Sequence, residues 1–353
     1  MKTRSARTTC AAAAVALAGC CLAQPAWAQN VTAQNVKITP VGSHPGELCA
    51  NDRAIIFEDP TGVRILYDVA HNVTGPDDPR LGAIHLVLLS HVHGDHIGDL
   101  KLKAIGAGTC SNSDRVSAGP NSMTAEVAAA KNAALVMTRA ISGLISTKIQ
   151  NIRAGKPITF CPQTDGATNV PVAAVCSSQT DLGGVFIAKA PNASHGVEIT
   201  IVYASHVNNV PPALLSEAQR ATLSADGAAL EFGPATGYVI KFTNGLTAYL
   251  SGDTGIHTEM KTVVNEYHKA NLAVLNLGPN AGTYISGAYA MNELVRPASV
   301  ILTHVNEAVT EGGKLRPGTR TAALMKQLKG AAHLAISGRT MEFDGKGKCV
   351  SGC

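Results

Sequence analysis

The sequence has little charge and, beyond its first residues, no long apolar run. Charged residues make up 15% of the 353 residues and hydrophobic residues 45%, which excludes a disordered chain and favours a compact globular protein. Because no internal apolar stretch is long enough to span a bilayer, no membrane span is predicted. No short-period repeat is present, and the length alone allows one large domain or two.

The first residues resemble a secretory signal. A basic head at residues 2–7 precedes an alanine-rich apolar stretch, and Ala26-Trp27-Ala28 has the small-x-small pattern of a cleavage site. We predict a signal peptide over 1–28 and a single mature domain over 29–353 that is periplasmic or secreted. The alternative is a lipoprotein, because "LAGC", ending at Cys20, resembles a bacterial lipobox and would place a lipid anchor on Cys20.

Without the signal, the net charge is close to zero. Lys2, Arg4 and Arg7 lie in the signal, so 26 of 29 basic residues remain against 25 acidic ones and the formal charge falls from +4 to +1. This near balance gives no basis for binding nucleic acid or an anionic membrane surface. We predict a small-molecule substrate and no nucleic-acid partner; the sequence leaves the oligomeric state open.

No C-x-x-C motif occurs, and no cysteine lies beside the main histidine cluster. In an oxidising compartment, this favours disulfides over a thiolate metal site or a catalytic cysteine. Six cysteines allow fifteen complete pairings, so the connectivity stays open. The cysteines beyond the signal are Cys49, Cys110, Cys161, Cys176, Cys349 and Cys353.

Short strands and helical segments alternate along the chain. Three strands are predicted within residues 35–69, and strands alternate with helices after residue 196, so we expect two sheets packed as a sandwich with helices outside. One long helix or two is predicted between Asn121 and Arg153. The Pro/Gly/Thr-rich stretch 157–194 suggests an extra hairpin or a cover, and we predict that 104–196 is a helical and loop insertion in the domain.

The stretch "SHVHGDHIGD", Ser90–Asp99, follows the apolar run "AIHLVLLS". Because alternate side chains of a strand point the same way, His91 and His93 can converge on one metal ion, while a turn at Gly94 directs Asp95 and His96 toward a second. A lone histidine is most often a surface or core residue, but four ligand-type residues in six positions favour metal binding. Imidazole and carboxylate suit zinc, which lowers the pKa of a bound water to about 7.

With the pattern H-x-H-x-D-H, the chain resembles the metallo-β-lactamase fold superfamily. The resemblance implies an α/β fold, a four-layer αββα sandwich, with further ligands at later strand ends. It is nearest to the branch of UPF-type metal-dependent hydrolases and ascorbate-phosphate lactonase-like enzymes. The implied ligand sets are His91, His93 and His206 for one metal ion, Asp95, His96 and His304 for the other, and Asp253 as a bridge.

Several neighbouring residues offer alternatives to these assignments. His195 competes with His206 but precedes its strand, whereas the family's ligands follow theirs. Asp253 in "GDTG" could instead cap an ordinary turn. Asp68 stands where the family has an aspartate that braces a ligand histidine, and His44 either faces the same site or is a solvent-exposed loop residue.

The resemblance implies hydrolysis. A metal-bridging hydroxide would attack a small ester, lactone or phosphodiester, with Asp95 and Asp253 as catalytic residues and two zinc ions (Zn2+) per chain. A β-lactamase is one alternative, although lactamases of this family generally carry cysteine or serine in place of Asp253. A mononuclear iron dioxygenase of the same fold is another, and the complete second ligand set disfavours it.

Overall fold

Two β-sheets lie face to face in the computed structural model, which describes residues 34–278 and 284–353. The predicted signal segment 1–28, with Cys20, lies outside the described residues. The strands, in chain order, are β1 (Val36–Val41), β2 (Ala54–Glu58), β3 (Arg64–Tyr67), β4 (Leu86–Leu88), β5 (Leu100–Leu102), β6 (Gly108–Thr109), β7 (Asn112–Ser113), β8 (Arg115–Ser117), β9 (Ala134–Val136), β10 (Thr159–Phe160), β11 (Thr168–Asn169), β12 (Cys176–Ser177), β13 (Val185–Lys189), β14 (Val197–Tyr203), β15 (Thr236–Lys241), β16 (Thr247–Leu250), β17 (Leu272–Asn276), β18 (Ser299–Thr303), β19 (Thr310–Glu311), β20 (Lys314–Leu315), β21 (Ala331–Leu334), β22 (Met341–Phe343) and β23 (Cys349–Ser351).

Helices cover the outer faces of both sheets. They are α1 (Gly94–Ile97), α2 (Met123–Lys131), α3 (Arg139–Ile152), the 3₁₀ turn α4 (Pro212–Leu214), α5 (Glu217–Ala225), α6 (Met260–Tyr267), α7 (Tyr284–Tyr289), α8 (Ala290–Val295) and α9 (Arg320–Met325). Local capping defines some of their ends: Ser122 Oγ accepts the Ala125 backbone N–H at the start of α2, and Asn132 adopts a left-handed conformation at its end. Within the described ranges, no helix is long and apolar enough to cross a bilayer.

The two sheets differ in strand direction. Over residues 34–278 and 284–353, the first has the order β10-β12-β9-β4-β3-β2-β1-β22-β23 and the second β11-β13-β14-β15-β16-β17-β18-β21. In the second sheet, β13 to β16 pair antiparallel, and β16, β17, β18 and β21 pair parallel. Strands β14, β16 and β18 therefore all end at the same edge of that sheet.

Alternate side chains along each strand face opposite sides of the sheet and pack against different layers. In β2, Ile55 and Phe57 face the core between the sheets, while Ala54 and Ile56 pack with α2 and α3 on the outer face. Aromatic rings also pack between the sheets. Phe57 of β2 stacks on Phe242, which follows β15, at a centroid distance of 6.0 Å. Helices α6, α8 and α9 add Met260, Val264, Met291 and Leu324 to the core cluster of the second sheet. The predicted α/β sandwich of two sheets between helices is confirmed.

The middle of the chain differs from its prediction. The stretch predicted as one long helix or two also contains β9, which lies parallel to β4 inside the first sheet. Its three residues are too few to interrupt the helical pattern of an alanine-rich sequence. Residues 157–194 form no separate hairpin, because β10 and β12 extend the first sheet and β11 and β13 the second. That 104–196 is an insertion stays a prediction, but its content includes strands of both sheets.

Disulfides join the six cysteines of the described domain in sequence order. The pairs are Cys49–Cys110, Cys161–Cys176 and Cys349–Cys353. The first joins the loop between β1 and β2 to the β6–β7 hairpin, and the Ala50 backbone N–H donates to the Cys110 carbonyl at 2.9 Å beside it. This pairing agrees with the preference for disulfides over a thiolate metal site.

Candidate metal centre

The carboxyl ends of several strands direct ligand-type side chains into one site. His206, Asp253 and His304 follow β14, β16 and β18, which end at the same edge of the second sheet. The motif from His91 to His96 follows β4 of the first sheet and continues into α1. Because the two sheets lie face to face, these ends meet across the sandwich.

Hydrogen bonds between the two sheets fix the position of the strand ends that carry these side chains. Thr236, at the start of β15, donates both its backbone N–H and its hydroxyl to the Ser90 carbonyl, each at 2.9 Å. Tyr238 OH donates to the Leu89 carbonyl at 2.8 Å. The loop after β14 is tied in as well, because Asn208 Oδ1 accepts the Val92 backbone N–H at 2.7 Å. The backbone on both sides of His91 is thereby anchored to the second sheet.

His91, His93 and His206 form the first triad. His91 Nε2 lies 3.0 Å from His93 Nδ1, and His206 Nε2 lies 3.3 Å from the same Nδ1. The His91 ring is fully buried and the His206 side chain is 6% exposed, whereas His93 is half-buried. Three ring nitrogens therefore point at one another.

Asp95, His96 and His304 form the second triad. His96 Nε2 and His304 Nε2 lie 3.0 Å apart, and Asp95 Oδ2 is 3.6 Å from His304 Nε2. Both imidazoles are buried, at 0% and 1% exposure. His304 adopts a left-handed backbone with φ of 52°, which is unusual for a bulky residue and occurs at functional sites.

Asp253 lies between the triads. Its Oδ2 is 3.3 Å from His304 Nε2, 3.4 Å from His96 Nε2 and 4.0 Å from His206 Nε2. Asn276 Nδ2 donates to the other oxygen, Oδ1, at 3.0 Å and fixes the carboxylate. All seven side chains predicted as metal ligands are therefore brought together, and their ligand roles stay predictions.

The donor set fits metal ions. In a tetrahedral zinc site, bonds of about 2.0–2.1 Å place ligand atoms about 3.3–3.4 Å apart, close to the spacings within each triad. His96 Nε2 and His304 Nε2 face each other at 3.0 Å, so one proton lies between them when no metal ion is bound, and a cation coordinated by both nitrogens would replace that proton.

Surrounding hydrogen bonds orient the imidazoles. His96 Nδ1 donates to Asp68 Oδ2 at 2.8 Å, so the contact expected of Asp68 is confirmed. Asp68 also accepts the Ser90 backbone N–H at 2.8 Å. In the first triad, His93 Nε2 donates to Asn209 Oδ1 at 3.1 Å. When either ring is neutral, the nitrogen that faces the triad is the one that carries the lone pair.

Arg53 is a residue of this site that the sequence analysis missed. It is 1% exposed, and its Nη1 forms an ion pair with Asp95 Oδ2. Its Nε donates to the Asn51 carbonyl at 3.3 Å. The only sequence signal was a charged residue at the start of an apolar strand, 42 positions before its partner. Arg53 restrains a carboxylate that the family resemblance assigns to the metal.

Burial and charge act differently on the two triads. Burial lowers the pKa of His91, helped by the neighbouring His96, and burial also lowers the pKa of His206, so both rings are neutral near pH 7. Burial alone would lower the pKa of His96, but the Asp253 and Asp68 carboxylates raise it to about 9. Burial opposes ionisation of Asp253, yet His304 and His96 hold its pKa well below the usual range.

Other candidate histidines lie outside this cluster. His195 is exposed and belongs to none of the metal-ligand groups among the described residues, in agreement with the preference for His206. His44 Nδ1 is 3.1 Å from Ser43 Oγ, and His44 belongs to neither triad. His257 packs edge-on against Tyr203 with a centroid distance of 5.3 Å.

The geometry is that of a known family. A model of the β-lactamase superfamily domain matches residues 63–305. The chain belongs to the β-lactamase superfamily. This match confirms the predicted family and fold, and the matched region contains all seven residues of the two triads and their bridge.

Named relatives agree with the predicted enzyme class, a metal-dependent hydrolase. A UPF0173 metal-dependent hydrolase of Pyrococcus abyssi is 24% identical over 66% of this chain and 71% of its own length. Another, from Methanosphaera stadtmanae, is 34% identical over 22% of this chain, and the chain spans only 32% of that protein. Among solved structures, Igni18, a metallo hydrolase of Ignicoccus hospitalis, has a TM-score of 0.53 at 19% identity and covers 88% of this chain and 99% of its own.

Proposed function

We propose that this protein is an exported dinuclear metal-dependent hydrolase, with two zinc ions per chain, that cleaves a small ester, lactone or phosphodiester. The position of Asp253 carries the proposal. Its Oδ2 lies within 4.0 Å of ligand-type nitrogens from both triads, which suits a carboxylate shared by two cations. His91, His93 and His206 would hold one ion, and Asp95, His96 and His304 the other.

When bound, such ions would supply a hydroxide from water near neutral pH and polarise the scissile bond. The residues of the chain prepare this chemistry. Asp68 fixes the ring orientation of His96, and Asn276 fixes Asp253, so the donors converge before any ion arrives. Arg53 holds Asp95, and burial keeps the Nε2 side of His304 out of bulk water.

The aspartate at 253 supports the substrate class. By the family resemblance, β-lactamases carry cysteine or serine at this place, whereas lactonases and phosphodiesterases keep the aspartate. The export proposal has separate support in the signal-like residues 1–28 and in the three cysteine pairs, which suit an oxidising compartment. Fractionation of cells that express the full chain would test it.

Metal analysis and a substrate panel test the activity. Purified protein should contain about two zinc ions per chain and cleave lactones, carboxylic esters or phosphodiesters faster than penicillins or carbapenems. A carbapenem as the best substrate would favour the β-lactamase alternative and overturn the substrate class. One iron ion per chain together with oxygen consumption would overturn the hydrolase proposal in favour of a dioxygenase.

A further inference from the structure

A second group of metal-ligating side chains lies where the last strands of the two sheets meet. It comprises His333, Cys349 and Cys353, and one potential ligand atom from each lies within 4.8 Å of the others. His333 is on β21, the edge strand of the second sheet, and Cys349 is on β23, the edge strand of the first. The group shares no residue with the two triads.

The fold of the C-terminus brings the two sulfur atoms together. Strand β23 pairs with β22 and places Cys349 opposite Phe343, whose ring contacts the His333 imidazole edge-on at a centroid distance of 5.7 Å. Gly352 then turns the chain with a φ of 74°, in a place where a Cβ would collide with the Thr340 carbonyl. Both Sγ atoms lie 3.3 Å from the Ser351 carbonyl oxygen.

One ring nitrogen of His333 has no hydrogen-bond partner in the part of the chain that the structure describes. That atom, His333 Nε2, is buried. Leaving such an atom unsatisfied is costly, and the great majority of buried polar atoms have a partner. A cation held by the two sulfurs would provide one.

We propose that His333, Cys349 and Cys353 bind one thiophilic cation such as Zn2+ when Cys349 and Cys353 are reduced. Two thiolates and one imidazole suit zinc, and the set leaves a fourth position for water. The structure joins the two cysteines as a disulfide, so each sulfur is bonded either to the other sulfur or to the cation. Disulfide and metal site are alternative states of one group.

This pair is also the one most accessible to reductants. Cys353 is exposed and Cys349 half-buried, whereas the other two pairs contain no exposed cysteine: Cys110 is half-buried, and the rest are buried. Exposed disulfides are the more readily reduced ones. An added phosphine supplies the two electrons and is oxidised to its oxide with water; each resulting thiol releases its proton when it binds the cation.

Cobalt binding to the reduced full chain tests the proposal. The protein, with Cys10, Cys20 and Cys21 changed to serine, is treated anaerobically with a phosphine until two thiols per chain titrate, and Co2+ alone is then added. Because the other four cysteines stay paired and none of the seven residues at the candidate metal centre is a cysteine, only this group should give sulfur-to-cobalt charge-transfer absorption in the near ultraviolet. We expect that absorption at one Co2+ per chain in the reduced protein and none in the oxidised protein.

Matched variants identify the ligands. The double variant Cys349→Ser/Cys353→Ser should lose the absorption, and His333→Ala should weaken Co2+ binding at this site at least about tenfold. His268→Ala, which removes a half-buried histidine on another edge of the molecule, should change neither. Zn2+ should displace the Co2+ and slow thiol alkylation in the wild type and in His268→Ala.

Four results would overturn the proposal. They are absence of the absorption when two thiols titrate, its retention in the double variant, undiminished affinity in His333→Ala, and a cysteine pair that resists reduction until the protein unfolds. Circular dichroism of each variant shows whether it folds. If the double variant does not fold, alkylation of Cys349 and Cys353 in the reduced wild type, checked by peptide mass spectrometry, replaces it.

Discussion

The two triads of the candidate metal centre are built differently. In the second, His96 and His304 are buried, His96 is bonded to Asp68, and Asp95 is paired with Arg53. In the first, His206 comes from the irregular loop after β14, and His93 is half-buried and bonded to the neutral amide of Asn209. Charged, buried partners thus surround one triad, and a loop with neutral partners completes the other.

This difference separates two ways of preparing a metal site. Buried carboxylates attract a cation but also favour a proton on the neighbouring imidazole. Metal binding at the second triad therefore competes with protonation. The first triad consists of imidazoles alone and depends on the loop for its third ligand. We therefore expect the two sites to respond differently to mutation and pH, with Asp253 as their common element.

The largest effect should follow from removing that common element. In Asp253→Ala, two dications a few ångströms apart lose the carboxylate that offsets their repulsion, so we expect at least about 100-fold weaker retention of one ion and a corresponding loss of hydrolysis. Elemental analysis after dialysis against a weak chelator measures it. Circular dichroism should show an intact fold, and a variant that keeps two ions would contradict the bridging position.

Single-ligand variants should separate the two sites. His91→Ala is expected to empty mainly the first site and His304→Ala mainly the second, leaving about one ion per chain in each case. His304 belongs to the second triad alone, whereas His91, a member of the first triad, also lies close to His96 and Asp253. Metal content and the spectrum of the Co2+ forms distinguish the remaining site. Equal loss of both ions in both variants would mean that the triads act as a single unit.

Replacing the carboxylate that orients His96 should weaken metal binding less than removing a ligand. Asp68→Asn keeps the size of the side chain but removes the charged acceptor of His96 Nδ1–H, and we expect about 10–100-fold weaker binding at the second site. The first site, measured in the His304→Ala background, should be unchanged. Loss of affinity at both sites to the same degree would show that Asp68 supports the whole fold instead.

Much of the candidate site follows from local sequence. The spacing of His91, His93, Asp95 and His96 is contained in one short segment, and the rule that ligands follow strands located His206, Asp253 and His304. The first four residues follow from nearest-neighbour geometry, whereas the last three follow from the family resemblance, which places further ligands at later strand ends. Together these inferences were sufficient to find every member of the two triads.

Contacts between residues distant in sequence could not be predicted in the same way. Arg53 meets Asp95 at a separation of 42 residues, which depends on the strand order β4-β3-β2 of the first sheet. Asn209 meets His93 at a separation of 116, which depends on how the two sheets pack. Strand β9 was missed because three apolar residues between helices do not change the local period. Its one local sign was Asn132, a residue type that tolerates the left-handed conformation found there.

The smallest predicted effect is a difference in pH dependence between the sites. His96 has its pKa raised to about 9, because Asp253 and Asp68 outweigh its burial, so below that pH a proton competes with the metal ion. We expect second-site affinity to rise about tenfold per pH unit between pH 7 and 9, whereas first-site affinity should be nearly constant, since burial lowers the pKa of His91 and His206. The stability of the metal-free fold depends on pH in the opposite direction. Because the pKa of His96 is higher in the folded chain than in the unfolded chain, its protonation stabilises the fold at low pH, and this contribution is lost as the pH rises through about 9. Zinc titrations of His91→Ala, which keeps the second site, and of His304→Ala, which keeps the first, measure the two slopes separately. Equal slopes would mean that the Asp253 and Asp68 carboxylates do not distinguish the two triads.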